Sequence, residues 1–379
     1  MRVVILADAD SIYCKEYIEY VLLEKYEVLI ITGCNKRYRQ YYRENGVKVL
    51  IWMPPQTLEE RLADRISDKI RRDDIFHVHY VEPRILKYFW KPWIKCRKRI
   101  LTYWGSDLLR LPLKQIRSMW PFIYTANDII VMDNHMRRKM KAVVSKRKWN
   151  SVKSIPLGIP MFDTIDEVSK RMSVNACKQH FELPVDKIIV SVGYNAAREQ
   201  QHLEMMREVV KLPEELLDKM FFVFHFGYGA KDTAYCRQLY KLMEENNVPY
   251  KVLEQFLDKH ETSVLRLSTD IFLYGQTTDA MSSSVLECLY AGAVLIKPQW
   301  LDYSELKGIS FYEYQQFGEI NGILENLIEK GIDRMPQNRK PLWEQQSWDV
   351  LVPRWKALYK EKANGKRRGK VHMAKRRYR

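Results

Sequence analysis

The chain has 379 residues, 46% hydrophobic and 29% charged, with 15 Gly and 15 Pro. That composition excludes a fibrous, linker-dominated or wholly disordered protein, and the length suits two domains better than one core. Its 63 Lys and Arg outnumber 47 Asp and Glu, a net charge of +16 that seeks phosphate on nucleic acid, lipid or substrate.

The excess is uneven. Residues 1–155 carry a net +14, residues 156–362 a net −6, and the last 17 residues eight basic side chains and no acidic one. Such asymmetry argues for two domains with different tasks. Cys14, Cys34, Cys96, Cys177, Cys236 and Cys288 stand far apart with no Cys-x-x-Cys pair, the pattern of buried, reduced thiols. Met1–Leu6 runs straight into Asp8 and Asp10 without an apolar leader, and no apolar run is long enough to span a bilayer. The expectation is a protein of the reducing cytoplasm.

In chain order, Val3–Leu6, Val28–Thr32, Val47–Trp52, Ile75–His79, Arg99–Tyr103 and Asp128–Met132 read as strands, being short, β-branched or apolar. Between them Ser11–Lys25, Arg37–Asn45, Leu58–Arg71, Glu82–Trp90 and Leu113–Tyr124 have apolar spacing nearer 3.6. Ser154–Pro160, with two prolines and a glycine, reads as a linker. The alternation then restarts. Strands are predicted at Lys187–Val192, Met220–His225, Lys251–Leu253, Asp270–Tyr274 and Ala293–Lys297, with helices at Gln201–Lys211, Thr233–Glu245, His260–Leu267 and Ser283–Ala291. An amphipathic helix over Trp348–Lys362 closes the pattern. Alternation of this kind predicts an α/β protein with two mainly parallel sheets.

Ligands of such proteins sit at the carboxyl ends of strands. The segment from Tyr274 to Glu287 leaves a strand, turns, and starts a helix with Ser282, Ser283 and Ser284. Free N–H groups, the helix dipole and three hydroxyls favour a diphosphate there, with Glu287 one turn in and within reach of a ribose. The alternative is that the serines only cap the helix and Glu287 faces solvent.

Asp279-x7-Glu287 followed by Ala291-Gly292-Ala293-Val294-Leu295-Ile296 resembles the nucleotide-sugar site of GT-B glycosyltransferases, and family 4 in particular. Ile155–Ile159 resembles that family's interdomain segment, Ile189–Gly193 with Tyr194, Asn195 and Arg198 its first donor-domain strand and phosphate-facing loop, and Trp348–Tyr359 its returning terminal helix. Phe224–Gly229 with Asp232–Tyr235 is similar to the enterobacterial-common-antigen 4-acetamido-4,6-dideoxygalactose transferases, which act on lipid-diphosphate acceptors. The resemblance implies two Rossmann-like domains facing across a cleft, at 1–155 for the acceptor and 156–340 for the donor, a crossover helix at 341–362 and a basic tail at 363–379. It implies a retaining transfer in which Glu287 holds the ribose and Asp279 meets the donor sugar. A glutamate is usual at the latter position, and aspartate is one methylene shorter.

Other site residues follow from strand-end positions. Arg198 would neutralise the departing diphosphate. Gly193 and Gly227 would let backbone approach the ligand or simply permit positive φ, with Asn195 and Tyr228 on the same loops. In Thr102–Asp107, Asp107 reads either as a base or orienter for an acceptor hydroxyl or as an N-cap, with Gly105 beside it. His77 and His79 alternate on one strand and default to core or rim; His79, nearer the carboxyl end, is the candidate for substrate binding. Asp8-Ala9-Asp10 imitates a metal-binding Asp-x-Asp motif but ends the first strand, so it reads as turn chemistry, and neither metal nor other cofactor is expected.

The run Lys87–Arg99 interleaves four aromatics with six cations, and Met136–Lys141, Lys146–Trp149 and the tail repeat the theme. One such cluster alone would be a solvated face; together they predict peripheral binding to an anionic membrane surface. No helix-turn-helix, zinc-knuckle or stacking-sheet signature accompanies them, so nucleic acid is not the expected partner. The expected partners are a nucleotide-sugar donor, a lipid-linked or polysaccharide acceptor, and the inner face of a membrane. The expected role is synthesis of a bacterial surface polysaccharide. The competing reading is a non-catalytic protein that uses the same shell to tether nucleic acid or membrane.

Overall fold

The computed structural model describes residues 1–54, 69–90, 94–229 and 232–360. The predicted helix at Leu58–Arg71 lies mostly outside these residues. So do the centre of the Lys87–Arg99 run and the basic tail.

The first sheet has seven strands: β1 (Arg2–Leu6), β2 (Glu27–Thr32), β3 (Lys48–Ile51), β4 (Ile75–His79), β5 (Lys98–Thr102), β6 (Asp128–Val131) and β7 (Val152–Ser154), in the order β3-β2-β1-β4-β5-β6-β7. The second has six: β8 (Ile188–Val192), β9 (Met220–His225), β10 (Tyr250–Leu253), β11 (Ile271–Leu273), β12 (Val294–Pro298) and β13 (Tyr312–Tyr314), in the order β10-β9-β8-β11-β12-β13. Every strand pair with a defined register runs parallel. Parallel sheets need cover on both faces, which is why strands such as β1 and β11 are almost continuously buried apolar residues. In the second sheet, Ile271 and Leu273 enter one apolar cluster while Phe272 and Tyr274 enter the other.

Both sheets reverse direction at their first strand. The chain winds outward from β8 through β9 to β10, then returns to lay β11 on the other side of β8. The carboxyl ends of β8 and β11 therefore flank a switch point, the standard place for a ligand in an open parallel sheet.

The chain folds into two compact units. Among the described residues, one comprises those within 1–102, 120–129 and 355–360; the other comprises those within 103–119 and 130–354. In the first, the end of the Trp348–Lys360 helix is locked into the core. Tyr359 Oη lies 2.7 Å from both His77 Nδ1 and Tyr17 Oη, and Lys98 Nζ donates to the Leu358 carbonyl at 2.5 Å.

Several predicted elements differ in detail. The helix expected over Ser11–Lys25 is an α-helical Ile12–Tyr17 followed by a wider π turn, Ile18–Leu22, which brings Ile18, Val21 and Leu22 together on the buried side. The predicted Leu113–Tyr124 helix is two, Leu113–Ser118 and Trp120–Thr125. Pro121 explains the break, because its ring cannot follow a preceding helical turn. Met136–Lys141 lies on the Asn134–Lys141 helix, capped by the Asp133 carboxylate on Met136 N–H at 2.7 Å. All six cysteines are free thiols; four are buried, while Cys34 and Cys96 are only partly covered.

Candidate functional site

The carboxyl ends of β8, β9 and β11 carry three loops that meet in the second unit. The first begins at Gly193, whose φ of +62° suits glycine and whose N–H caps the Leu273 carbonyl at 2.9 Å. A Cβ there would stand 2.6 Å from His202 Nε2. The second loop begins at Gly227, where any Cβ would run into the Gln255 carbonyl. Ala196 N–H donates to the Tyr228 carbonyl at 3.0 Å and joins the two loops. Asn195 Oδ1 takes Ala197 N–H at 2.9 Å and so shapes the first loop.

The third loop follows β11 and is ordered around Asp279. Tyr274 and Tyr303 both donate hydroxyls to its Oδ2, the former at 3.0 Å, and Ser282 N–H joins them at 3.0 Å. Ala280 N–H fills Oδ1 at 2.8 Å. Burial raises the Asp279 pKa, against these donors. This carboxylate is committed to shaping its loop.

The Ser283–Ala291 helix starts after this loop and buries nearly its whole length. Glu287, expected either at a ribose or in solvent, is 7% exposed. Its carboxylate accepts from Arg266 Nε at 3.1 Å, and Arg266 itself is 2% exposed. Tyr228 lies near enough to this pair to sense both charges. The residue is 38% exposed, while its hydroxyl bonds Ser284. Tyr194 continues the aromatic row, with ring centroids 6.4 Å from Tyr228 and 6.0 Å from Tyr274, and reaches Ser282 and Gln200 by hydrogen bonds. Burial pushes the nearby His225 down to about 4 and His202 to about 3, so both are neutral imidazoles at physiological pH.

The structure thus gathers Gly193, Asn195, Gly227, Tyr228, Asp279, Ser282, Ser284 and Glu287 around one set of loops, with Ser283 opening the helix. Arg198 lies just beyond, exposed on a short 3-10 turn with its guanidinium 5.8 Å from the Tyr235 ring centroid. Gly105 and Asp107 sit on the turn after β5, which lies against the Asp279 loop: a Cβ on Gly105 would stand 3.1 Å from the Ala280 Cβ. There Asp107 Oδ1 accepts N–H from Trp104 and Gly105 at 2.8 and 2.9 Å, so the buried acid organises its own turn. His79 is elsewhere, 2% exposed in the core of the first unit, with its ring centroid 4.4 Å from Tyr17 and 4.2 Å from His77. Burial pushes its pKa down to about 3. In the first unit Asp10 accepts N–H from Lys36 and Arg37 at 2.8 and 2.7 Å, as turn chemistry requires.

Sequence reasoning missed Arg266, Tyr274 and Tyr303 as members of the site. Arg266 carried a signal, since it is a cation set in the apolar Val264-Leu265-Arg266-Leu267 stretch of its helix. Tyr303 carried none, because it comes from the loop after β12. Among the described residues no three His, Cys, Asp or Glu side chains gather as a metal-binding group. No helix among them is long and apolar enough to cross a membrane.

Residues 2–134 match the family described as Glycosyl transferase 4-like. No curated protein matches the sequence. Among solved structures, a glycosyltransferase from Rickettsia africae superimposes with a TM-score of 0.76 at 13% identity, covering 96% of this chain and 99% of that one. Anabaena HepE, solved in complex with UDP and glucose, gives 0.71 at 11% identity, covering 95% and 99%. Sucrose-phosphate synthase from Thermosynechococcus elongatus gives 0.72 at 12%, covering 95% and 98%. At such identities the likeness speaks for the fold: two parallel α/β sheets arranged in sequence as in the GT-B glycosyltransferases.

Proposed function

We propose that the protein transfers a sugar from a nucleoside-diphosphate sugar to a membrane-associated, lipid-linked saccharide in the synthesis of a bacterial surface polysaccharide. The observation that carries this reading is the buried Arg266–Glu287 pair near Tyr228, placed where three strand-end loops and a serine-rich helix start converge. Burying two charges is costly unless they are paired with each other in good geometry. Arg266 fixes the Glu287 carboxylate in place, ready to accept the two hydroxyls of a ribose. The diphosphate then falls on the Ser282–Ser284 turn, where the Ser283 and Ser284 N–H groups have no helical acceptor, with Arg198 close by to neutralise the leaving group. Asp279 acts by holding this loop against the donor sugar, and Asp107 by holding the Trp104–Gly105 turn on the acceptor side. HepE's complexes with UDP and UDP-glucose support a nucleotide sugar as the donor.

The Asp279-x7-Glu287 likeness favours retention of anomeric configuration, with no metal or other cofactor taking part. Residues 156–340 would hold the donor and 1–155 the acceptor. The Phe224–Gly229 likeness and the basic charge of the first 155 residues favour a lipid-diphosphate acceptor at the inner face of the cell membrane. A panel of UDP-, GDP- and dTDP-sugars, followed by chromatography of the released nucleoside diphosphate, tests the reaction class. One donor should be consumed only when a lipid-linked saccharide is added, and Glu287→Ala should abolish the turnover. Donor consumption that Glu287→Ala leaves intact would refute the site.

A further inference from the structure

On the first unit, a pocket of about 260 Å³ opens at the amino ends of β5 and β6, the opposite end of the strands from that used by ligands in this fold class. Ile94, Lys95, Cys96, Arg97, Arg99, Thr125 and Asn127 line it. Its lining has three cations and no acid. Nearby carboxylates are already engaged, Asp74 by Arg2 at 2.7 Å and Asp128 by Lys98 at 2.6 Å. The wall is rigid: Arg99 donates to the Ile94 carbonyl at 2.5 Å, its guanidinium lies 5.3 Å from the Trp90 ring centroid, and its N–H donates to Asn127 Oδ1 at 2.7 Å. Lys95 and Arg97 stand exposed on this frame.

Beside the pocket runs the short Trp120–Thr125 helix, whose last residue Thr125 both lines the pocket and accepts the Trp90 indole N–H at 2.5 Å. Ile123 is its inward anchor at 3% exposure, while Trp120 and Tyr124, one turn apart, are 64% and 51% exposed. A large indole and a phenol thus stand exposed on the helix beside a cationic hollow. Their amphipathic rings suit the interfacial layer of a bilayer, and cations at that depth meet lipid phosphate.

We infer that this pocket is a docking site for the phosphate headgroup of an anionic membrane lipid, with Lys95 and Arg97 taking the phosphate and Trp120 and Tyr124 entering the interface. The inference rests on the membrane part of the proposed function and is independent of the sugar chemistry. It assigns membrane contact to a defined face and not to net charge alone.

Vesicle sedimentation of the full chain tests it, using phosphatidylcholine with about a third phosphatidylglycerol against phosphatidylcholine alone. The wild-type protein should bind the anionic vesicles. Lys95→Gln with Arg97→Gln should weaken that binding roughly thirtyfold, two cations' worth at an anionic surface. Trp120→Ser with Tyr124→Ser should weaken it roughly tenfold or more at any salt concentration. Lys170→Gln with Arg171→Gln removes the same charge from exposed helix positions elsewhere and should change binding less than threefold. If that control loses as much as the pocket variant, or the pocket variant binds like wild type, the pocket is refuted while membrane association stands. If wild type binds neither vesicle, both fall. Inorganic phosphate should compete no better than sodium chloride of equal ionic strength. If phosphate instead stabilises wild type but not the pocket variant, without vesicle binding, the site serves free phosphate and membrane docking is overturned.

Discussion

Two cations lie buried against carboxylates in the two units, and their surroundings differ. Lys98 meets Asp128 at 2.6 Å, both under 10% exposed, and the Leu358 carbonyl of the terminal helix closes over the ammonium. Arg266 meets Glu287 at 3.1 Å with similar burial, but near it lies Tyr228, a partly exposed residue on a strand-end loop. Desolvation opposes both pairs alike. The first is closed over by the terminal helix; the second has a partly exposed tyrosine as its neighbour. Burial alone therefore does not separate the two pairs; the strand-end loops around Arg266 and Glu287 are what single that pair out for the proposed ribose contact.

The sharpest way to break this comparison is to neutralise each cation. Lys98→Met and Arg266→Met should each cost about 3–5 kcal/mol in urea unfolding, because each strands a buried carboxylate. Only Arg266→Met should weaken nucleotide binding of the folded protein. A loss of binding in Lys98→Met would erase the distinction.

Asp133 offers a second contrast within the second unit. Burial, with Glu305, Asp279 and Asp302 adding repulsion, raises its pKa to about 7. Between about pH 4 and 7 the folded chain keeps this proton and the unfolded chain loses it, so stability falls as pH rises through that window. Asparagine preserves the cap and removes the penalty. Asp133→Asn should gain up to about 4 kcal/mol at pH 8 and nothing at pH 4, by thermal melts across that range. Equal gains at both pH values would contradict the assignment.

Smaller effects probe the loops. Gly193→Ala forces a side chain into φ +62° and against His202, and should cost about 1–3 kcal/mol with a parallel loss of nucleotide affinity. Tyr303→Phe removes one of the donors on Asp279. It should cost about 1 kcal/mol and weaken sugar-nucleotide binding more than binding of the bare nucleoside diphosphate. An equal effect on both ligands would place Asp279 away from the sugar.

Much of the architecture was legible because parallel strands buried on both faces read as plain apolar runs; β1, β4 and β9 begin and end within about a residue of their predicted limits. The short edge strands β7 and β13 escaped, being three residues each with polar or exposed positions. In the site, the residues on strand-end loops were visible because glycine and serine punctuate those loops. Arg266 and Tyr303 were not, since their relation to Glu287 and Asp279 exists only in the folded packing. His79 shows the converse. Its place near a strand's carboxyl end suggested a ligand, yet Tyr17, His77 and Trp355 fill that region of the first unit.

Calorimetric titration of UDP, GDP and dTDP into wild type, Glu287→Gln and Lys98→Met tests the central claim most directly. One nucleotide should bind the wild-type protein and Lys98→Met equally, and bind Glu287→Gln at least about thirtyfold more weakly, as expected when a charged partner of a ribose is lost. Binding of that nucleotide to Glu287→Gln with unchanged affinity would contradict it.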